Sequence, residues 1–264
     1  MTETSHASVS RNDHTLKLTV AGAGTILPAR GLSTSCHALE IADRTVVFDM
    51  GPGALARLAL AGLDYRDLQT IFISHLHPDH TLDLVTLLQA LEATPGWSRT
   101  QTLTIAGCRG LKAFITELLA IFRDAVPQTY AVEVIELEVG RHEIAGLTVE
   151  TCLTGHTSNS LAFRLETENG VFVYSGDAAD MDAMIKIARQ ADMFLCECSF
   201  EKGYPTTDHF TSDAVGRIAA AAGVRHLIVT HTYPTTDHDR IRADIGAHYA
   251  GLVTIAVDGT VAQC

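Results

Sequence analysis

Charge, aromatic residues and paired cysteines are all scarce in this sequence. Charged residues occupy 19% of the 264 positions and aromatics 6%, against 47% hydrophobic residues. A chain this apolar is not a solvated polyelectrolyte, and it has material for a large core. No apolar run reaches the roughly 18 residues that span a bilayer, so no membrane helix is expected. Residues 1–15 open MTETSHASVSRNDH, which is polar and lacks an apolar signal region. They read as a flexible leader to one domain over 16–264 in a cytoplasmic protein.

Basic residues are also few, with 19 Lys and Arg against 31 Asp and Glu and a formal net charge of -12. Such a field repels nucleic acid and anionic membranes, so neither is an expected partner. It does not exclude a phosphate ester, because bound metal ions dominate the field around them. The six cysteines, Cys36, Cys108, Cys152, Cys196, Cys198 and Cys264, form no CxxC pair. They read as reduced, packed thiols. In MFLCECSF, Cys196 and Cys198 alternate with Glu197, so on a strand they face away from it. Gly22-Ala-Gly24 lacks the third glycine and the helix of a dinucleotide fingerprint.

What is present alternates between strand-like and helical patterns. LKLTVAGAG, HALEIA and RTVVFDMG, with a turn near Asp43 and Arg44, precede a helical GALARLALAG. The strand Thr70–Ser74, a helix over Thr81–Glu92, the strand LTIAG and the helix GLKAFITELLAIF follow. From Tyr130 the strand-like AVEVIELEV, LTVETCL, LAFRLETE and VFVYSGD stand close together. Asn169-Gly170 is a hairpin turn between the last two. Helices over Met181–Gln190, Ser212–Ala222 and around Arg240 separate MFLCECS, RHLIVTH, VTIAVDG and TVAQC. Two groups of strands, each followed by helices, predict an α+β chain. Its two sheets should pack face to face with helices outside, in four layers.

His75-Leu-His77-Pro-Asp79-His80 stands between a strand and a helix. A strand end aims side chains rigidly, and imidazoles with a carboxylate suit zinc and related metals. His75 and His77 can converge on one ion, and Asp79 and His80 can turn to a second. His156, Asp177 and His231 each follow a strand-like segment, in TGH, SGD and VTH. Singly each could be a cap or a surface residue, but together they place ligands at one end of the strands. Tyr-Pro-Thr-Thr-Asp-His occurs twice, at 204–209 and 233–238. Both copies are read as helix-capping loops, with Thr236 and Asp239 resembling a capping box. Arg30 is weighed as a contact for an anion, against a plain surface arginine. His37, His142, His226, His238 and His248 suggest no partners.

The series HLHPDH, TGH, SGD and TH resembles the metallo-β-lactamase superfamily over about Leu16 to the C-terminus. The resemblance implies the αβ/βα sandwich. It also implies one metal on His75, His77 and His156, a second on Asp79, His80 and His231, and Asp177 bridging them. Asp177 stands where the β-lactam-hydrolysing members carry cysteine, which argues against that activity. GAGTILPARG with Ser-Thr-Ser, and FDMGPGALARL, are similar to the RNase Z-like phosphodiesterase branch. Glu197 and His209 match that branch's Glu and His, which form a proton relay with the aspartate that Asp79 matches. The tRNA-processing members carry a long arm between the residues matching His156 and Asp177. Here that interval holds a hairpin.

The expected protein is a hydrolase with two divalent ions, Zn²⁺ first, with Mn²⁺ or Fe as alternatives. Its expected substrate is a small phosphodiester, attacked by a hydroxide held between the ions. Asp79, Glu197 and His209 would be its catalytic residues. A lactonase or thioesterase on the same site, a tRNA 3′-processing endonuclease and a non-catalytic metal-binding protein are the rival readings. A homodimer is left open.

Overall fold

The structure, a computed structural model, describes residues 15–42 and 44–264. The expected leader up to His14, and Asp43 of the expected turn, lie outside the described residues.

Local sequence determines the elements. β1 (Leu16–Gly22), β2 (Cys36–Ile41), β3 (Arg44–Phe48), β4 (Thr70–Ile73), β5 (Leu103–Gly107) and β6 (Val132–Glu136) belong to the first sheet. β7 (Gly140–Ile144), β8 (Leu147–Leu153), β9 (Leu161–Thr167), β10 (Gly170–Tyr174), β11 (Met193–Glu197), β12 (His226–Thr230) and β13 (Leu252–Ile255) form the second. β14 (Thr260–Gln263) returns to the first. The orders are β14-β1-β2-β3-β4-β5-β6 and β13-β12-β11-β10-β9-β8-β7. Strands β4, β5, β11 and β12 lie in parallel pairs and are buried along their whole lengths, which is why they read as continuous apolar runs.

α1 (Ala54–Leu60), α3 (Asp83–Ala93) and α4 (Leu111–Ile121) pack on the outer face of the first sheet. α5 (Met181–Ile187), α6 (Ser212–Ala222) and α7 (His238–Gly246) pack on the second. The short α2 (Pro78–Thr81) leads into α3. On α3, Leu84, Leu87, Leu88 and Leu91 form one buried stripe. The result is the four-layer sandwich. Among the described residues no helix is long and apolar enough to cross a membrane.

Between the sheets, Phe48 and Phe72 of the first meet Phe163, Phe172 and Tyr174 of the second. Ring centroids lie 5.2–5.8 Å from Phe48 for all four partners. All six cysteines are free, and Cys196 and Cys198 pack beneath the helices of the second sheet.

Some boundaries differ from the sequence reading. AVEVIELEV is not one strand of the second group. Val132–Glu136 is the edge of the first sheet, and the chain then crosses to β7. β7, GRHEI, has no apolar alternation because only its last residue is buried. The helix expected from Thr81 begins at Pro78, a residue suited to the first helical position, and breaks at Leu82. The expected hairpin joins β9 to β10, but its two-residue turn is Glu168-Asn169; Gly170, at φ 138°, already pairs with Thr167 as the first residue of β10.

Phe48→Ala tests the inter-sheet core. It should destabilise the fold by about 3–5 kcal/mol and lower the melting temperature by roughly 10 °C. Differential scanning calorimetry measures both, and a loss below about 1 kcal/mol would contradict this packing.

Candidate metal centre

The ends of β3, β4, β8, β10, β11 and β12 open onto one edge of the sandwich. Asp49 follows β3, and the His75–His80 motif follows β4. His156 follows β8, Asp177 follows β10 and His231 follows β12. Glu197 is the last residue of β11.

Two glycines permit the convergence. A Cβ on Gly51 would lie 2.0 Å from the Asp79 carbonyl oxygen, so only glycine lets the loop after β3 clasp the histidine motif. Met50 N–H donates to the His80 carbonyl at 2.7 Å across the same contact. Gly176, at φ 56°, abuts Ser74, whose Cβ would stand 2.8 Å from an added Cβ. Asp49 and His231 are themselves left-handed, at φ 59° and 56°. Strained non-glycine backbone of this kind persists only where surrounding contacts hold it.

The seven predicted ligands fall into two clusters. His75, His77, His156 and Asp177 offer ligand atoms within 4.8 Å of one another, and so do Asp79, His80 and His231. Asp177 divides its carboxylate between them. Its Oδ2 lies 3.7 Å from His75 Nε2 and 3.6 Å from His156 Nε2, and its Oδ1 lies 3.4 Å from both His80 Nε2 and His231 Nε2. His77 presents Nδ1, 3.0 Å from His75 Nε2 and 3.2 Å from His156 Nε2. Ligand atoms around a tetrahedral zinc with bonds of 2.0–2.1 Å are about 3.3 Å apart, so these spacings fit an ion.

His80 Nε2, His231 Nε2 and Asp177 Oδ1 are buried without any hydrogen-bond partner. Orphaned buried polar atoms are rare, and three aimed at one point fit a cation there. The clusters are therefore consistent with a dinuclear metal site. They differ in access: Asp79, His80 and His231 are buried, whereas His77 is exposed and His156 half-buried.

The outer nitrogens of four imidazoles are held. His80 Nδ1–H donates to Asp49 at 2.7 Å, and His156 Nδ1–H to the Asp208 carbonyl at 2.8 Å. Ser74 Oγ lies 3.0 Å from His75 Nδ1 and donates to Asp49 at 2.7 Å. Ser199 Oγ lies 3.3 Å from His231 Nδ1 and donates to Glu197 at 2.8 Å. A serine that donates to a carboxylate can accept the imidazole N–H, so both histidines are steered to present Nε2 inward.

Burial pulls the pKa of His75 and His77 down, toward the neutral form a metal needs. Burial pushes Asp177 up, but the surrounding histidines, His231 and His80 foremost, outweigh it and hold Asp177 well below the carboxylate range. In Asp79 the same contest, won by His231 and His80, also lowers the pKa.

Glu197 is 1% exposed, so it is not a solvated strand end. It accepts from Ala178 N–H, Ser199 N–H, Ser199 Oγ and His209 Nδ1–H, the last at 2.9 Å. The His209 ring lies 4.7 Å from that of His156, tilted by 45°, and offers a nitrogen within 4.8 Å of Asp177 and His231. Its neighbours at the centre are thus Asp177 and His231, while Asp79 faces His80 and His231. Burial lowers the His209 pKa, but the Glu197 hydrogen bond and charge outweigh it and raise it to about 9.

Asp49 escaped the sequence reading. It accepts from Ser74 N–H, Ser74 Oγ, His80 Nδ1–H and Tyr174 OH, all at 2.7–2.8 Å. The available signal was a carboxylate ending the apolar strand RTVVFD. The shared capping role of the hexapeptides is corrected. Asp237, not Thr236, caps α7 through Asp239 N–H and Arg240 N–H. The first copy makes no side-chain cap on α6 and delivers His209 instead. Among the other histidines, His142, His226 and His238 have local partners in Glu138, Thr254 and Thr232. Both ring nitrogens of His37 are buried and unpaired. Arg30 is exposed.

Protein purified without chelator should carry close to two transition-metal equivalents by elemental analysis, and Asp177→Ala should lose metal from both clusters. Retention of one full equivalent in Asp177→Ala would contradict bridging. Asp49→Asn should weaken metal affinity about 10- to 100-fold, as measured by competition with a chromophoric chelator. Unchanged affinity would remove Asp49 from the account.

Comparison with known proteins agrees with this geometry. Residues 44–232 match the family described as Beta-lactamase superfamily domain. The probable metallo-hydrolase YhfI of Bacillus subtilis is 27% identical over 250 residues, covering 93% of this chain and 99% of that one. Its crystal structure superposes with a TM-score of 0.83 at 26% identity, over 95% and 99% of the two chains. Ribonuclease Z of Ignicoccus hospitalis is 25% identical over 265 residues, covering 81% of this chain and 87% of its own. The short form of human tRNase Z shares the fold, with a TM-score of 0.76 at 20% identity over 93% and 98% of the chains. The chain belongs to the metallo-β-lactamase superfamily, as a YhfI-like relative of RNase Z without the long arm.

Proposed function

We propose that this probable metal-dependent hydrolase is a phosphodiesterase that uses two Zn²⁺ ions and acts on small diesters. The observation that supports the reading best is the Glu197–His209 pair, a buried carboxylate holding an imidazole beside Asp177, His156 and His231. The likeness to Ribonuclease Z supports the same bond type.

His75, His77 and His156 would hold one ion, Asp79, His80 and His231 the other, and Asp177 both. Five imidazoles among seven ligands favour zinc. Bound divalent ions supply a nucleophile at neutral pH, by lowering the pKa of water to about 7, and neutralise charge on phosphoryl oxygens. The protein's own groups do the rest. Asp79 orients the attacking water and accepts its proton. His209 is protonated at neutral pH because Glu197 holds it so, and it donates its Nε2 proton to the departing oxygen. The exposed side of the first cluster, at His77 and His156, admits the diester.

Precursor tRNA is a poor fit. Folded RNA is held through many phosphate contacts with Lys and Arg, and the chain has 19 such residues against 31 acidic ones. The β9–β10 hairpin occupies the interval where an arm would stand. Hydrolysis of bis-aryl phosphodiesters is expected, with weak or absent cleavage of precursor tRNA even at low ionic strength, where electrostatic binding is strongest. Efficient tRNA cleavage at physiological salt would refute the size limit. Failure on every diester, with rapid lactone or thioester turnover, would refute the phosphoesterase reading.

His209→Ala and Glu197→Gln should lower turnover about 10²- to 10⁴-fold with metal content unchanged. A group that acts protonated loses its function as pH rises through its pKa. His209 titrates near 9 without metal, and nearby cations lower that value. The wild-type rate should therefore fall along an alkaline limb at or below pH 9, and His209→Ala should lack that limb. An identical limb in the variant would assign it elsewhere.

A further inference from the structure

Capping does not account for the repeated Tyr-Pro-Thr-Thr-Asp-His segment, since only one copy caps a helix. The two copies meet at Phe200. Tyr204 of the first stacks on Phe200 with centroids 3.9 Å apart and planes 8° apart. Tyr233 of the second stacks on it at 4.7 Å and 28°. Two rings cannot share one face of Phe200 at those distances, so Phe200 lies between them. The stack starts at the metal centre, where Tyr233 is 6.4 Å from His231 and 6.2 Å from His209. It ends at Tyr204, which is 52% exposed.

An open cleft of about 480 Å³ is lined by the three stacked rings, by Pro205–Asp208 and by His209. The wall is tied to the centre, because the Asp208 carbonyl accepts the His156 Nδ1–H. Among the described residues no Lys or Arg lines the cleft, and its anionic side chain is Asp208.

We propose that this cleft receives a planar heteroaromatic ring borne by the diester, a nucleobase with N–H donors, laid against Tyr204. An exposed aromatic face binds flat π-systems of this kind. The Asp208 carboxylate accepts N–H donors and repels further phosphates, while the cationic His209 stands at the metal end of the cleft. The ligand class is therefore a mononucleotide-type ester rather than a polyphosphate or a polynucleotide. The placement of its phosphate at the metals rests on the phosphodiesterase reading, whereas the ring's binding can be measured without hydrolysis.

The test is isothermal titration of the metal-loaded protein with guanosine 5′-monophosphate and with ribose 5-phosphate, which lacks the ring. Stacking on one aromatic side chain predicts roughly 10-fold tighter binding of the nucleotide. Tyr204→Ala should bring the ratio close to one, with metal content and melting temperature retained because the ring is half exposed. Tyr204→Phe should keep the preference. Equal affinities in the wild type, undetectable nucleotide binding, or a preference that survives Tyr204→Ala would each overturn the proposal. Bis-aryl phosphate turnover is assayed separately: its failure removes the phosphodiesterase reading, while the affinity ratio still decides the cleft.

Discussion

The Asp177 carboxylate lies between two groups of imidazoles in a place water scarcely reaches, 2% exposed. One oxygen faces His75 and His156, and the other faces His80 and His231. Burying a charge is expensive unless it is paired, and among the described residues the partners here are imidazoles, of which His80 and His231 have inward nitrogens with no hydrogen-bond partner. Cations on either side would satisfy all of these atoms together. The rest of the edge follows from the need to hold that arrangement. Asp49 and Glu197 anchor opposite ends of it, each through a serine that passes the constraint to a histidine, Ser74 to His75 and Ser199 to His231.

The sandwich supplies rigidity to both halves of the centre. One half hangs from β3 and β4 of the first sheet and the other from β8, β10, β11 and β12 of the second. The aromatic cluster around Phe48 fixes the distance between the sheets. Tyr174 belongs to that cluster, and its hydroxyl also donates to Asp49. A shift of one sheet against the other would thus be felt at His80 through a single intervening carboxylate. The clusters remain unlike in exposure, since Asp79, His80 and His231 are buried while His77 is exposed.

Much of this was legible in the sequence because the chemistry is local there. Four ligands sit within six residues, and the other three follow apolar strands, where a polar residue is conspicuous. The layer count followed from the alternation of strands and helices. What escaped depended on partners far along the chain. β7 carries polar residues on an edge strand, and β14 joins β1 from the other end of the sequence. Asp49 touches Ser74, His80 and Tyr174, the last 125 positions away. The hexapeptide copies are identical in sequence, yet one caps a helix and the other aims a histidine, since the surrounding contacts differ.

Anomalous diffraction from crystals of the metal-loaded protein, recorded at the absorption edge of the bound metal, tests the bridged dinuclear centre most directly. Two peaks should straddle Asp177, one among His75, His77 and His156 and the other among Asp79, His80 and His231. A single peak, or two peaks of which only one contacts Asp177, would contradict it.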